Sequence, residues 1–265
     1  MPEGLEAEIW RGACEPLVGR TIVGADVDER VAPAGFESAI VGSSITGVRR
    51  LGKVVLLDVC RMGEASHAIG LHFGMTGRLV VDGVAAIERL TYASGRDAAA
   101  WDRCVLLTDP SPAGVGTPGL RFNDPRRLGR ITIDPDLSRI GVDIFDVTAP
   151  ALGAALARRH IELKTALLDQ HVIAGLGNLL VDEVLWWSGL NPRRAAATLD
   201  QREVRGLAAV IRRRLPIMLR RGGSTTGNLS PDVRSAPHLC ERDGLPLRRE
   251  SIGARTTIWC PGHQH

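Results

Sequence analysis

Residues 167–192 read LLDQHVIAGLGNLLVDEVLWWSGLNP, and two apolar runs in this stretch flank the short motif AGLGN. Gly175 and Gly177 permit a tight, positive-φ connection, and Asn178 can cap the helix that follows. Gly189 marks the end of that second helix. The stretch therefore predicts two helices joined by a tight turn.

This turn has two interpretations. One is a plain helical hairpin with no further role. The other uses the backbone N–H groups that are free at the start of the second helix, which with Asn178 make a phosphate-binding site. Lys164, one turn before LLDQ, either adds a positive charge to that site or is a solvated lysine.

The chain after residue 150 is rich in Ala, Leu and Arg, and its apolar residues recur at helical spacing. We expect the last helix to open with a capping box formed by Thr198 and Gln201. The predicted helices cover residues 151–160, 163–172, 178–188 and 200–221.

The chain before residue 135 has a different rhythm, in which eight short β-rich runs alternate with turn signals. This pattern predicts an antiparallel sandwich, preceded by a helix over residues 3–18. The expected fold class is α+β. The expected domains are the N-terminal helix and β-sandwich (1–135), a helical domain (136–225) and a compact C-terminal tail (236–265).

Composition sets the broad limits. The chain has 265 residues, of which 44% are hydrophobic and 24% charged, so it can bury a real core. No apolar run is long enough to span a membrane and the charged N-terminus is no signal peptide, so we expect a cytoplasmic protein. Residues 151–265 hold 17 basic and 10 acidic side chains, which points to a polyanionic partner.

The opening MPEGLEAEIW is compatible with a simple capped amphipathic helix. It also allows chemistry, because removal of Met1 would expose the secondary amine of Pro2 as a nucleophile. Glu3 and Glu6 could then supply acid and base. A retained Met1 would block the amine.

Five motifs together resemble the formamidopyrimidine-DNA glycosylase and endonuclease VIII family. They follow the order of that family from end to end of the chain. The motifs are MPEG, RRLGKVVLLD around Lys53, LHFGMTGRL around Met75, NDPRRLGR at 123–130, and LLDQ followed by AGLGN. The resemblance implies a β-sandwich, a helix-two-turns-helix domain and a zinc hairpin that grip damaged duplex DNA. It also implies a base-excision repair enzyme with glycosylase and abasic-site lyase activities.

By that resemblance, Pro2 attacks the sugar C1′ and forms an iminium intermediate. Glu3 moves protons at the sugar, Glu6 helps to position the lesion, and Lys53 clamps a phosphate. On sequence alone, a solvated lysine at a strand end is the favoured interpretation of Lys53. His72 and Asn178 would contact phosphates, although a lone histidine in a strand is usually structural.

An enzyme that extrudes a base must fill the space that the base leaves. Met75, Arg126 and Leu128 resemble the intercalating residues of the family. Leu128 stands where relatives often have phenylalanine, so wedging is kept while stacking is lost. Without the family, the three would be interpreted as core or surface residues.

The C-terminal tail departs from the family pattern of two C-x2-C pairs. CERD at 240–243 and CPGH at 260–263 keep the spacing, with Asp243 and His263 in place of two cysteines. Cys240, Asp243, Cys260 and His263 form a chemically reasonable tetrahedral zinc site, and His238 or His265 could replace Asp243. Alternatively the hairpin has lost the metal and holds by packing. Arg255 resembles the hairpin arginine that contacts phosphates.

The substrate is the last question. Little chain separates GGSTT at 222–226 from Cys240, where oxidised-guanine enzymes of the family carry a longer loop. Oxidised pyrimidines, ring-opened purines or abasic sites are therefore the expected substrates. The protein is also expected to be a monomer that associates with the nucleoid when it binds DNA. The alternatives are a catalytically silent binder of damaged DNA and an RNA-binding module.

Overall fold

The computed structural model describes residues 2–88, 90–91, 95–110 and 118–265. Met1, on which the accessibility of the Pro2 amine depends, lies outside the described residues. The chain forms two compact units. The first unit contains Pro2 and Glu6–Leu137, and the second contains Glu3–Leu5 and Ser138–His265.

The N-terminal helix is shorter than predicted. Helix α1 covers Gly4–Cys14, a 3-10 turn follows at Glu15–Leu17, and Gly19 ends the segment with a φ of 89°. Each of the eight predicted β-rich runs contains a strand of the first unit. The elements are β1 Thr21–Val27, helix α2 Phe36–Ile40, β2 Ser44–Leu51, β3 Val54–Cys60, β4 Ser66–His72, β5 Arg78–Val81, β6 Asp102–Asp109, β7 Pro118–Asn123 and β8 Arg130–Ile133.

The strands form one antiparallel ladder in the order β5-β7-β6-β1-β2-β3-β4-β8. Strands β1 and β2 pair at a single position, Thr21 with Ser44, so the ladder consists of two four-stranded halves joined at a corner. The core of the first unit draws residues from both halves and includes Trp10, Phe73 and Phe122. Because both halves bury side chains in one core, the predicted sandwich is confirmed.

The second unit is mainly helical. Its elements are β9 Val142–Asp143, α3 Ala149–Leu156, α4 Leu163–Leu168, β10 Ile173–Ala174, α5 Asn178–Ser188, α6 Gln201–Arg220, α7 Pro231–Ser235, β11 Arg248–Ile252 and β12 Arg255–Trp259. Helix α4 ends four residues before the predicted boundary of 172. Asp169 has an extended backbone there and its carboxylate accepts a hydrogen bond from His171 N at 2.9 Å. The following residues pair with β9 instead.

The predicted capping box at Thr198 and Gln201 is wrong by two residues. Asp200 is the N-cap of α6, and its carboxylate accepts a hydrogen bond from Glu203 N at 2.8 Å. The side chain of Glu203 accepts one from Asp200 N at 2.9 Å, which completes the box. Thr198 ends a preceding 3-10 turn, where its hydroxyl donates to Ala195 O.

The hairpin of β11 and β12, predicted as a separate domain, is part of the second unit. Ile258 and Cys260 share a small buried cluster with Trp186 of α5. This packing fixes the hairpin to the helix that follows the AGLGN turn. Among the helices of the described residues, none is long and apolar enough to cross a membrane.

Candidate functional site

Glu3 caps α5 across 174 residues of sequence. Its carboxylate accepts hydrogen bonds from Gly177 N at 2.9 Å, Leu179 N at 2.8 Å and Leu180 N at 3.0 Å. A Cβ on residue 177 would lie 2.3 Å from Glu3 Cδ, so only glycine permits this approach. Three N–H groups at the positive end of the helix dipole therefore hold one buried carboxylate.

This cap corrects two predictions about the turn. The N–H groups expected to be free for a phosphate are used by Glu3, and Asn178 is the first helical residue of α5 and not its cap. Gly175 has the expected positive φ of 108°, but Gly177 is extended and is needed for the approach of Glu3. The side-chain amide of Asn178 donates to Thr256 O at 3.0 Å.

Lys164 does not point into solvent or toward an exposed phosphate site. It has no exposed surface, and its Nζ donates to Asp182 Oδ1 at 2.7 Å and to Thr256 O at 3.0 Å. Burial lowers the pKa of Lys164, and the charge of Asp182 acts in the opposite direction. The prediction that Lys164 adds its charge to a phosphate site is therefore wrong, because its ammonium group is enclosed by protein.

Arg234 completes a buried ion triad with Lys164 and Asp182. Its guanidinium donates to Asp182 Oδ2 at 2.6 Å and to Thr256 O at 2.9 Å. Asp182 also accepts a hydrogen bond from Ile258 N at 3.0 Å. The triad thus joins α4, α5 and α7 to strand β12, whose first residue is the exposed Arg255. It sets the position of the residue predicted to contact phosphates.

Lys53 lies in the two-residue turn between β2 and β3, where Gly52 has a φ of 58°. Arg50 connects this turn to α1, because its Nε donates to Glu8 at 2.8 Å and its NH1 donates to Gly52 O at 2.8 Å. Glu6, one of the predicted catalytic carboxylates, is buried on the same helix within the first unit. The turn with Lys53 is therefore held in a fixed place relative to α1.

His72 ends β4 and pairs with Val54 of β3 and with Arg130 of β8. The pKa of His72 is lowered by desolvation of its ring and by the nearby positive charges of Lys53 and Arg130. Its Nδ1 accepts a hydrogen bond from Gly74 N at 3.3 Å, so the neutral ring carries its proton on Nε2. The positive charges of Lys53 and Arg130 beside the neutral ring of His72 make a place that suits an anion.

The structure brings the predicted wedge residues together in the first unit. Arg126 donates from NH1 to Met75 Sδ at 3.8 Å. Gly74 has a φ of 56°, and a Cβ there would lie 2.3 Å from Leu128 O, so the two loops touch. Leu128 is 44% exposed, so its apolar side chain is accessible for a wedge.

A fully buried carboxylate, Asp124, organises this wedge. It accepts hydrogen bonds from the backbone N–H groups of Arg126, Leu128 and Gly129, at 3.2, 2.7 and 2.7 Å. It also accepts one from the hydroxyl of Thr76. Both predicted wedge loops are therefore tied to one acidic side chain.

The four predicted metal ligands meet at the base of the hairpin. One ligand atom from each of Cys240, Asp243, Cys260 and His263 lies within 4.8 Å of the other three. His263 Nε2 is 3.0 Å from Trp186 O, which assigns the proton to Nε2 and leaves Nδ1 for the metal. Neither His238 nor His265 belongs to this cluster. Two thiols, an imidazole and a carboxylate are a donor set that suits zinc.

Sequence reasoning missed Asp124, Asp182 and Arg234. Asp124 lies in NDPRRLGR, where nothing distinguishes a buried acceptor from a surface acid. Asp182 lies in the apolar run LLVDEVLWW, and its apolar neighbours were the one available signal that it is buried. None was found for Arg234, which lies in a polar stretch.

Comparisons with known proteins agree with this geometry. Residues 1–131 match the formamidopyrimidine-DNA glycosylase N-terminal domain, and residues 140–230 match the formamidopyrimidine-DNA glycosylase H2TH domain. The chain is 34% identical to the formamidopyrimidine-DNA glycosylase of Paracoccus denitrificans. The alignment has 293 positions, gaps included, and covers 98% of this chain and 99% of the relative. The corresponding protein of Xanthomonas oryzae is 32% identical and covers 98% of each chain.

Solved structures show the same fold. The MutM (Fpg) protein of Thermus thermophilus superposes with a TM-score of 0.77 at 27% identity, over 99% of this chain and 98% of that one. The Lactococcus lactis Fpg in complex with abasic-site DNA has a TM-score of 0.78 at 23% identity, over 99% of each chain. The chain therefore belongs to the formamidopyrimidine-DNA glycosylase family.

Proposed function

We propose that this DNA glycosylase is bifunctional, removing a damaged base from duplex DNA and then cleaving the strand at the abasic site. The observation that carries the proposal is the anchoring of the chain directly after Pro2. Three N–H groups hold Glu3, and Gly4 N donates to Gly175 O at 2.8 Å. A nitrogen bonded to so firmly held a segment has a defined position, which is what attack on a sugar carbon requires.

The proposed chemistry begins with attack of the Pro2 nitrogen on C1′. The C1′–N bond to the base breaks, and the base leaves with a proton. The nitrogen then loses its proton and the C1′–O4′ bond breaks as O4′ gains one, both by way of Glu3. The product is an iminium ion with an open sugar ring, which acidifies the C2′ hydrogen. Removal of that proton breaks the C3′–O bond and releases the 3′ phosphate, and water then frees the amine. Glu3 is the proposed proton carrier at the sugar, and Glu6 the proposed positioning group.

Grip on the DNA comes from phosphate contacts in each unit. Lys53 and His72 are the proposed contacts of the first unit, and Asn178 and Arg255 those of the second. The charge of Lys53 beside His72 supports the first pair. The buried triad that holds Thr256 O supports the second, because it fixes the residue next to Arg255. Such contacts give affinity that falls as salt rises.

The wedge is proposed to fill the space left by the extruded nucleotide. Met75 and Leu128 would enter between base steps, and Arg126 would reach the unpaired partner base. The contact between Arg126 and Met75 and the exposure of Leu128 support this role.

We propose that Cys240, Asp243, Cys260 and His263 hold one structural zinc ion. When bound, zinc would stabilise the fold of the hairpin and supply no chemistry to the reaction. The ligand atoms are close enough to share an ion. The test is metal analysis of purified protein, with about one zinc per chain expected and a clear loss in Cys260→Ser. Stoichiometric zinc in that variant would assign the ion to other residues, and absence of zinc from the unaltered protein would leave packing alone to hold the hairpin.

The proposed substrates are oxidised pyrimidines, ring-opened purines and abasic sites. One structural relative, the Lactococcus lactis enzyme, was solved with DNA containing an oxidized pyrimidine, and a mutant of it was solved with Fapy-dG-containing DNA. The short segment between residues 226 and 240 supports the exclusion of a loop built for 8-oxoguanine. Turnover across a panel of duplexes, each with one lesion, checks this assignment.

Borohydride trapping on an abasic-site oligonucleotide tests the chemistry. Borohydride reduces the iminium ion, so the protein should run as a covalent adduct on a denaturing gel. The matched control carries an uncleaved N-terminal extension, in which the Pro2 nitrogen is an amide and cannot attack. Pro2→Gly should trap less, since it loses the rigid secondary amine.

The same assay separates the enzyme from a silent binder of damaged DNA. An adduct with processed protein and none with the extended control supports the lyase. If processed protein binds the abasic duplex without forming any adduct, the binder is the correct description. Equal trapping by both proteins would assign the nucleophile to a lysine.

A further inference from the structure

Helix α6 presents a continuous row of arginines to solvent. Arg202, Arg205, Arg212, Arg213 and Arg220 are all exposed. At 100° and 1.5 Å per residue they fall within about 100° of arc and span about 27 Å of the helix. We call these five residues the α6 arginine face.

The α6 arginine face has no acidic counterpart among the described residues. None of its five members takes part in an ion pair, and Arg205 donates only to the amide oxygen of Gln201, at 3.2 Å. The one acidic residue of the helix, Glu203, is paired with Arg194. Five like charges on one helix repel each other, which costs stability unless an anion binds there.

The α6 arginine face is separate from Asn178 and Arg255, the proposed phosphate contacts of the second unit. The opposite side of α6 is buried in the same core as α5, through Val204, Ile211 and Leu215. Since Asn178 begins α5 and Arg255 begins β12, the α6 arginine face points away from the helix that supports both. DNA held by those two residues leaves this side of α6 open.

The chemistry of the face favours nucleic acid over protein. Between the arginines lie Gly206, Ala209 and Pro216, so the face has no large apolar side chain to anchor a protein partner. Guanidinium groups bind phosphate oxygens in a bidentate way. Duplex DNA carries one negative charge per roughly 1.7 Å of its axis, so about 27 Å of helix matches about eight base pairs.

We propose that the α6 arginine face is a second DNA-binding surface, which binds the phosphates of an undamaged duplex segment while the lesion site is occupied. Such a surface would let the protein pass between DNA segments without full dissociation. The binding is independent of sequence and of the chemistry at Pro2.

The test uses two duplexes. An unlabelled 13-base-pair duplex with a tetrahydrofuran abasic analogue saturates the lesion site, and a fluorescein-labelled undamaged duplex of 16 base pairs then reports binding by anisotropy. Saturated protein should still bind the labelled duplex. The slope of log K against log salt should be about −2.7 to −4.5, as three to five phosphate contacts give roughly −0.9 each.

Two double variants with the same charge change provide the comparison. R212Q/R213Q should weaken binding of the labelled duplex about tenfold at low salt and reduce the salt slope by about 2. R139Q/R158Q removes two exposed arginines elsewhere in the second unit and should change binding less than twofold. Glutamine has a helix propensity close to that of arginine, so α6 should stay folded. Circular dichroism of each variant checks this.

Three results would overturn the proposal. They are no binding of the labelled duplex once the lesion site is full, equal losses in the two double variants, and binding of polyglutamate in place of DNA. The last would assign the face to an acidic protein, which could also use the apolar groove of about 500 Å³ beside Val204 and Arg205. Borohydride trapping is measured separately, so failure of the lyase chemistry is distinguishable from failure of this surface.

Discussion

Two buried carboxylates hold the proposed DNA-contacting loops, one in each unit. They differ in their hydrogen-bond donors, which are neutral around one carboxylate and mainly cationic around the other. Asp124 in the first unit accepts hydrogen bonds from neutral donors, namely three backbone N–H groups and the Thr76 hydroxyl. Asp182 in the second unit accepts from two cations, Lys164 and Arg234, and from one backbone N–H group. Both side chains are almost wholly buried.

The difference determines what happens when each carboxylate is lost. Neutral donors that lose an acceptor can turn or find water, so the damage stays in the loop. Buried cations that lose their counter-ion destabilise the fold, because an uncompensated charge in a low-dielectric interior has a high free energy. We therefore expect Asp182 to matter for the stability of the whole unit and Asp124 for the shape of one loop.

Asp182→Asn should have the largest effect. It leaves the volume unchanged but removes the negative charge between Lys164 and Arg234, so unfolding should become easier by about 3–5 kcal/mol. Urea unfolding followed by circular dichroism measures this. In the double variant Asp182→Asn/Lys164→Met the penalty should shrink, because one uncompensated cation is removed as well. A loss below about 1 kcal/mol in the single variant would mean that water reaches the triad.

Raising the pH should partly rescue Asp182→Asn. The pKa of Lys164 is already below its ordinary value of 10.5, and removing Asp182 takes away the charge that holds it up. Between the lowered folded pKa and 10.5 the unfolded chain binds more protons than the folded one, so stability rises with pH. The gain in unfolding free energy between pH 7 and pH 9.5 should exceed that of the unaltered protein.

Asp124→Asn should have a smaller effect on stability, about 1–2 kcal/mol, because a neutral amide keeps one acceptor oxygen for the loop. Its main effect should appear on DNA. Affinity for a duplex with an abasic analogue should fall several-fold, while affinity for undamaged duplex is unchanged. A stability loss equal to that of Asp182→Asn would erase the distinction between neutral and charged partners.

Local patterns predicted most of the fold. All eight strands of the first unit and the helices at 178–188 and 200–221 were predicted within about two residues, since period-two and helical spacing can be recognised from neighbouring residues. The approach of the four metal ligands was also predictable, because two pairs of closely spaced residues set it. Cys240 with Asp243 and Cys260 with His263 are each three residues apart.

The predictions that failed were mainly those that depended on a contact with a residue distant in the sequence. The N–H groups of the AGLGN turn look free in a window of sequence, but Glu3 uses them from the other end of the chain. Lys164 likewise looks solvated until Asp182 and Arg234 enclose it. The predicted cap at Thr198 failed for a different reason, since Asp200 and Glu203 have the same spacing two residues further along the chain and form the capping box instead.

Asp200→Ala extends the comparison to an exposed carboxylate with a single backbone donor. Loss of this N-cap should destabilise the protein by about 1 kcal/mol, less than either buried aspartate. Thr198→Ala is the matched control and should change the unfolding free energy little, because its hydroxyl is exposed and serves a short 3-10 turn. If the two variants behaved alike, the hydrogen bond from Glu203 N to the Asp200 carboxylate would contribute nothing.

His72 provides the smallest test, because it asks whether charge beside the loops acts on DNA rather than on folding. Desolvation and the charges of Lys53 and Arg130 hold its pKa below 6.5, so the ring is neutral at pH 7.5. A bound phosphate offsets those positive charges and favours protonation, so affinity for the abasic-analogue duplex should rise a few-fold from pH 8 to pH 6 at constant salt. His72→Gln should lose that rise while keeping its affinity at pH 8. An equal rise in both proteins would assign the pH dependence to another group and remove His72 from the phosphate contacts.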